Sequence, residues 1–197
     1  MRKARLLILG AGGHGRSVAE AAQLSGAFDV SGFLDDGLPV GQTVLMSSIL
    51  GTIGGLGRVD YLRRYRTACD QAIVAVGNNA VRENLMQHLI DMDFDLATVI
   101  HPRAFVSPSA VVGMGSAVMA GAIVGTEAHL GIGVIVNCCA VVDHHGKVGD
   151  FGHLGVSACM AGGSILGRNA WIQAGCALGY GVEVPAAAVL RPGTALW

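Results

Sequence analysis

The chain has 197 residues, is 52% hydrophobic yet only 5% aromatic, and carries a net charge of −1. That length allows one large domain or two small ones, and a near-neutral chain without basic runs gives no electrostatic support for nucleic-acid or membrane-surface binding. No apolar run reaches membrane-spanning length without a charge interrupting it. The five cysteines show no CxxC spacing, which with no recognisable signal peptide predicts the reducing cytoplasm.

The first half alternates strands and helices. An apolar run, Leu6 to Leu9, leads into Gly10-Ala11-Gly12-Gly13-His14-Gly15 and then an amphipathic helix from Arg16 to Leu24. A second strand, Val30 to Leu34, ends in Asp35-Asp36, about where a dinucleotide fold places its ribose-binding acid. A less distinct unit lies around Leu50 to Ile53, and a helix is expected over Val59 to Arg66. Ala72 to Val76 reads as a buried strand closed by Gly77-Asn78-Asn79, followed by a helix over Ala80 to Met92 and a last strand, Leu96 to Ile100. Residues 1–98 are thus expected to form a small Rossmann-like parallel α/β domain. Its ligand belongs at the strand C-termini, beside Gly10, Gly12, Gly13, His14, Asp35, Asp36 and Asn78. Loop glycines admit a ligand to the backbone, and a helix N-terminus favours a phosphate. A half-size domain suits a mononucleotide, the nucleotide half of a sugar nucleotide.

From Val106 onward, every sixth residue through Val112, Val118, Val124 and so on to Leu196 is aliphatic or Met. The residue two before each of these anchors is small or Val. Two inward residues separated by one outward residue make a short strand, and the rest of each hexad makes a corner. Such hexapeptide repeats predict a parallel β-helix over residues 99–197, with three hexads to a coil. Five coils at about 4.8 Å each give a prism roughly 24 Å tall.

Two stretches of the repeat carry chemistry-bearing residues. In Val136-Asn137-Cys138-Cys139-Ala140-Val141-Val142-Asp143-His144-His145, the frame puts both histidines outward on a corner. In Gly149-Asp150-Phe151-Gly152-His153, His153 also faces outward. Residues 18 apart lie one coil above each other, so Glu127 stacks with His145 and His144 with Gly162. Neutral imidazole is a competent base at cellular pH, and a free backbone N–H at a glycine can serve a developing oxyanion.

The GAGGHG loop, the FLDD strand end, VGNN, the Asn-x6-His spacing of IVNCCAVVDHH and the following GDFGHLG together resemble the bacterial sugar acyltransferases that acetylate amino sugars on nucleotides, such as those of bacillosamine and perosamine synthesis. Sialic acid O-acetyltransferases are close relatives. The resemblance spans essentially the whole chain and implies a left-handed β-helix behind a nucleotide-sugar domain. It also implies a homotrimer with acetyl-coenzyme A (acetyl-CoA) as co-substrate between neighbouring prisms, and a UDP- or GDP-linked amino sugar as acceptor. By motif, His144 resembles the general base, Gly162 the backbone donor near the thioester carbonyl, and Asn137 and His153 residues lining the acetyl-CoA site. His14, Asp35 and Asp36 resemble contacts to the sugar nucleotide. Where relatives place an acid after the base, this chain has His145, and Glu127 is the expected substitute. No resident metal is expected. Three other readings are open at this stage: a sialic acid-type O-acetyltransferase, a trimeric zinc β-helix enzyme using His129, His144, His145 and His153, and a non-catalytic sugar-nucleotide-binding protein.

Overall fold

The computed structural model describes residues 2–54 and 59–197. It divides the chain into two compact units, Met1–Val99 and Ile100–Trp197.

In the first unit, strands β1 (Ala4–Leu9), β2 (Phe28–Leu34), β3 (Thr43–Val44), β4 (Ser47–Gly51) and β5 (Gln71–Val74) form one sheet in the order β3-β4-β2-β1-β5. All its pairings are parallel except the short β3–β4 hairpin. Leu6 to Leu9 are fully buried, as a central parallel strand covered on both faces requires. Helix α1 (Gly13–Ser25) follows β1, and α2 (Asn79–Asp91) follows β5. The chain moves one way from β1 to β2 and β4, then returns to the other side of β1 for β5. The reversal puts the topological switch point between the C-terminal ends of β1 and β5, where an open α/β sheet has its crevice.

Two expected elements of this unit differ. Val59–Tyr65 is a 3-10 segment instead of an α-helix. It closes through tight bonds, the Arg66 N–H donating to Arg63 O and the Ala68 N–H to Tyr65 O. The expected last strand of the sheet, Leu96 to Ile100, reduces to a single parallel bridge between Leu96 and Ala72. Strand β6 (Val99–Ile100) instead joins one sheet of the β-helix, where the His101 N–H donates to Val118 O. The sixfold frame therefore starts one hexad before Val106.

The second unit is a left-handed parallel β-helix. Two-residue strands recur every six residues from β7 (Phe105–Val106) to β22 (Ala195–Leu196), and the three sheets hold six, five and six strands. Each strand pairs in parallel with the one 18 residues later, as Val141 does with Cys159 and Val142 with Met160. The anchors from Val118 to Val184 are buried in one continuous core, together with the residues two before them apart from the half-buried Val182. A narrow prism leaves room for Val, Leu and Ala and little for rings, which explains the scarcity of aromatics. Backbone N–H groups of one coil donate to carbonyls of the next, so the ladder holds whatever side chain stands outward at a corner.

Candidate active site

Three stacked corners of the β-helix, residues 125–128, 143–146 and 161–164, gather the titratable side chains. His144 and His145 are exposed, their Nδ1 atoms 3.0 Å apart and their rings nearly perpendicular. His145 Nε2 lies 3.0 Å from Glu127 Oε2, one coil below, so the stacking arithmetic has brought this pair together. Asp143 Oδ1 accepts the backbone N–H of His144 at 2.7 Å, while its Oδ2 lies 3.7 Å from His144 Nε2, too far for a hydrogen bond.

One coil above, Gly162 lies against the His144 ring. A β-carbon there would collide with His144 Cε1 and Nε2, so only glycine lets the imidazole lie against the backbone. The Gly162 carbonyl accepts from the Gly181 N–H, and the Gly163 N–H donates to His144 O. Among the described residues the Gly162 N–H has no acceptor. An imidazole and a free backbone N–H thus share one corner.

Beside this corner runs a groove of about 490 Å³ lined by Asp143, Cys159, Met160, Ala161, Tyr180 and Trp197, among others, with almost entirely apolar walls. Tyr180 and Trp197 are highly exposed at 79% and 94%. They were missed in the sequence, although the 18-residue step that links His144 to Gly162 continues to Tyr180, and the step through Asp143, Ala161 and Gly179 ends at Trp197.

Two predicted residues lie elsewhere. His153 occupies an outward strand position yet is only 7% exposed, because Trp171, one coil above, stacks on it with ring centroids 5.1 Å apart. The outward direction was legible; its cover was not. Asn137 sits at the corner before Val141–Val142, at the opposite end of that strand from His144, and its Oδ1 accepts the Cys138 N–H at 2.8 Å. Within one chain neither residue reaches His144. Among the described residues no three His, Cys, Asp or Glu side chains come together to hold a metal ion.

In the first unit the glycine loop lies at the switch point. Gly10 has φ +102°, and a β-carbon would press within 2.9 Å of Ala75 O, so the loop needs glycine there for both reasons. Gly12 caps α1 without any side chain, and added β-carbons at Gly12 and Gly13 would meet only open space. The first turn of α1 is therefore open to an anion. His14 Nε2 is buried with no hydrogen-bond partner, and burial, reinforced by the nearby Arg82 guanidinium, pushes its pKa down to about 4. Arg82 itself is buried and donates to Val76 O, Gly77 O and Asn79 Oδ1; burial lowers its pKa to about 10. No sequence pattern flagged it, since an arginine at helical spacing reads as a solvated face.

The acidic pair has structural work in this unit. Asp35 Oδ2 accepts the Ala11 N–H at 2.7 Å, and its Oδ1 accepts from Gly37 and Leu38, so it ties the glycine loop to its own turn. Asp36 Oδ1 accepts from Ile53 and Gly54. Asn78 is the N-cap of α2, its Oδ1 accepting the Val81 N–H at 3.0 Å.

An α/β unit with an open helix N-terminus, joined to a hexapeptide-repeat prism bearing a histidine corner and an apolar groove, defines the class of left-handed β-helix acyltransferases. The family described as the PglD N-terminal domain matches residues 5–89. The acetyltransferase domain of PglB from Neisseria gonorrhoeae FA1090, solved with acetyl coenzyme A, is 32% identical, with 95% of this chain and 96% of that one covered and a TM-score of 0.79. This chain belongs to that family, the bacterial nucleotide-amino-sugar N-acetyltransferases. PerB from Caulobacter crescentus, solved with CoA and GDP-perosamine, is 32% identical over 96% of this chain and 90% of its own, with a TM-score of 0.71. The GDP-perosamine N-acetyltransferase of Escherichia coli O157:H7 is 26% identical over 89% of this chain and 78% of its own length.

Proposed function

We propose that this chain transfers the acetyl group of acetyl-CoA to the amine, at the 4-position, of a UDP- or GDP-linked amino sugar, with His144 as general base. The observation that carries this reading is the His144 ring lying on Gly162, with the free Gly162 N–H at the same corner and the apolar groove alongside. The amine attacks the thioester carbonyl, and His144 Nε2 takes a proton from the amine. The carbonyl oxygen gains negative charge beside the Gly162 N–H. The C–S bond then breaks, CoA leaves as thiolate, and an amide remains. Thioesters are already activated, so positioning supplies much of the rate. The complexes of the relatives with acetyl coenzyme A and with CoA plus GDP-perosamine support this choice of substrates.

The α/β unit, residues 1–98, is the nucleotide-sugar side: the open first turn of α1 takes the phosphates, and His14 contacts the sugar nucleotide. Residues 99–197 take acetyl-CoA along the groove. Because Asn137 and His153 do not reach His144 within one chain, their assignment to the acetyl-CoA site goes with a homotrimer whose sites lie between prisms. Ile123 and Val141 stand outward on one face and suit such packing, whereas Met119 is buried. Among the described residues no helix is long and apolar enough to cross a membrane; the reading places the enzyme in the cytoplasm, with acetyl-CoA and nucleotide sugars.

The test is a panel of UDP- and GDP-4-amino sugars, with 4-hydroxy analogues as controls, incubated with acetyl-CoA while free thiol is followed. Thiol release with an amino sugar and not its hydroxy analogue is expected. Release with hydroxy sugars alone would favour O-acylation, and none with any acceptor would overturn the acyltransferase reading.

A further inference from the structure

We propose that His145 and Glu127 set the tautomer of His144, holding its proton on Nδ1 and leaving Nε2 as the basic nitrogen. This rests on the assignment of His144 as the base. An ionised carboxylate only accepts hydrogen bonds. Glu127 Oε2 is 3.0 Å from His145 Nε2, so that nitrogen carries a proton. Neutral imidazole has a single N–H, which leaves a lone pair on His145 Nδ1. His145 Nδ1 is 3.0 Å from His144 Nδ1, so His144 is the donor there. The lone pair of neutral His144 then sits on Nε2, the edge lying against Gly162.

The competing group is Asp143. Its Oδ1 is engaged by the backbone N–H of His144, and its Oδ2, at 3.7 Å, is too far to hold a proton on Nε2. The backbone keeps the column in register. Glu127 and His145 share the same left-handed conformation, with φ 55° and 57°, and the His145 N–H donates to Thr126 O at 2.9 Å. Here the carboxylate stands one coil below and acts through an intervening imidazole. During the reaction one proton moves at this end: the amine N–H breaks and the His144 Nε2–H forms. The imidazolium then keeps its Nδ1–H on His145, whose Nε2–H remains on the Glu127 carboxylate. His145 and Glu127 are thus positioning residues.

The experiment is a long-range ¹H–¹⁵N spectrum of the histidine-labelled chain without substrate, above the titration range, with His144 assigned by its loss in His144→Ala. Wild type is expected to show His144 as the Nδ1–H form. His145→Ala should shift it toward the Nε2–H form and lower kcat on the order of 10- to 10²-fold with KM unchanged. That loss is smaller than the roughly 10⁴-fold of a wrong tautomer in a buried triad, because this corner is open to solvent. His145→Asp restores an acceptor in a backbone conformation that Asp tolerates, and should recover both the tautomer and kcat. Glu127→Gln should keep the tautomer and lower kcat by less than His145→Ala. The proposal is overturned if wild-type His144 is the Nε2–H form, or if His145→Ala leaves tautomer and kcat unchanged. The spectrum needs no substrate. An Nδ1–H wild type without turnover on any amino sugar would therefore sink the acyltransferase reading and leave the tautomer assignment standing.

Discussion

The two units use polar side chains in opposite ways. In the α/β unit, Asp35, Asp36 and Asn78 look functional and spend their oxygens on backbone N–H groups that shape the loops. The surface left open there is mostly backbone: the glycine loop and the start of α1, which has no side-chain cap. In the prism the backbone pairs largely coil by coil, and although Asn137 and Asp143 each accept a neighbouring backbone N–H, the side chains of His144, His145 and Glu127 are free to meet one another. His144, His145 and Glu127 hold no loop together. A regular scaffold therefore separates chemistry from stability, and an irregular one merges them.

This contrast can be broken at four places. The largest effect is expected at His144. His144→Ala should lower turnover by about 10²–10⁴-fold with an unchanged thermal unfolding curve, because an exposed corner packs against little. Loss of stability comparable to a core substitution would contradict the separation. Next comes Gly162→Ala, whose β-carbon would displace the His144 ring. A shift of about 1 Å at a reacting group costs on the order of 10²-fold, so steady-state kinetics should show that loss in kcat while circular dichroism stays the same.

The remaining two test the α/β unit, where stability should move. His14 has its folded pKa lowered to about 4 from an ordinary 6.5. Between those values the unfolded chain binds a proton that the folded chain does not, so stability rises with pH through the window. It is fully present above pH 6.5 and lost as pH falls towards 4, by at most about 3 kcal/mol. Urea unfolding across this range should show that slope in wild type and lack it in His14→Gln. The smallest effect is Asp35→Ala, which strips the acceptor from the N–H groups of Ala11, Gly37 and Leu38. It should destabilise the unit by about 1–3 kcal/mol, besides any rise in KM for the sugar nucleotide. A KM change at unaltered stability would show that the carboxylate serves the ligand alone.

Much of the site was legible because the prism is periodic. A frame of six says which side chains face in, and a step of 18 says which corners stack, so Glu127 below His145 and His144 below Gly162 followed from counting. The same counting reaches Tyr180 and Trp197 but gives no reason to single them out until the groove is seen. Counting gave the outward direction of His153 but not its exposure, because direction does not reveal what covers a side chain, and Trp171 covers this one. In the α/β unit the glycine loop and acidic pair were found by spacing. Their hydrogen bonds were not, because those depend on turns between elements far apart in sequence.

By itself the sequence determined the two-part architecture, the hexad frame, the strand–loop–helix at Gly10 to Gly15 and the histidine corner, since each is a local or periodic pattern that backbone geometry translates directly. Only the tertiary structure decided that Asp35 and Asp36 brace loops, that Arg82 and His14 Nε2 are buried, that β6 joins the prism, and that His153 and Asn137 stand apart from His144 in one chain. Those outcomes depend on which distant backbone groups need an acceptor and which surfaces neighbours cover, and neither is a property of spacing along the chain.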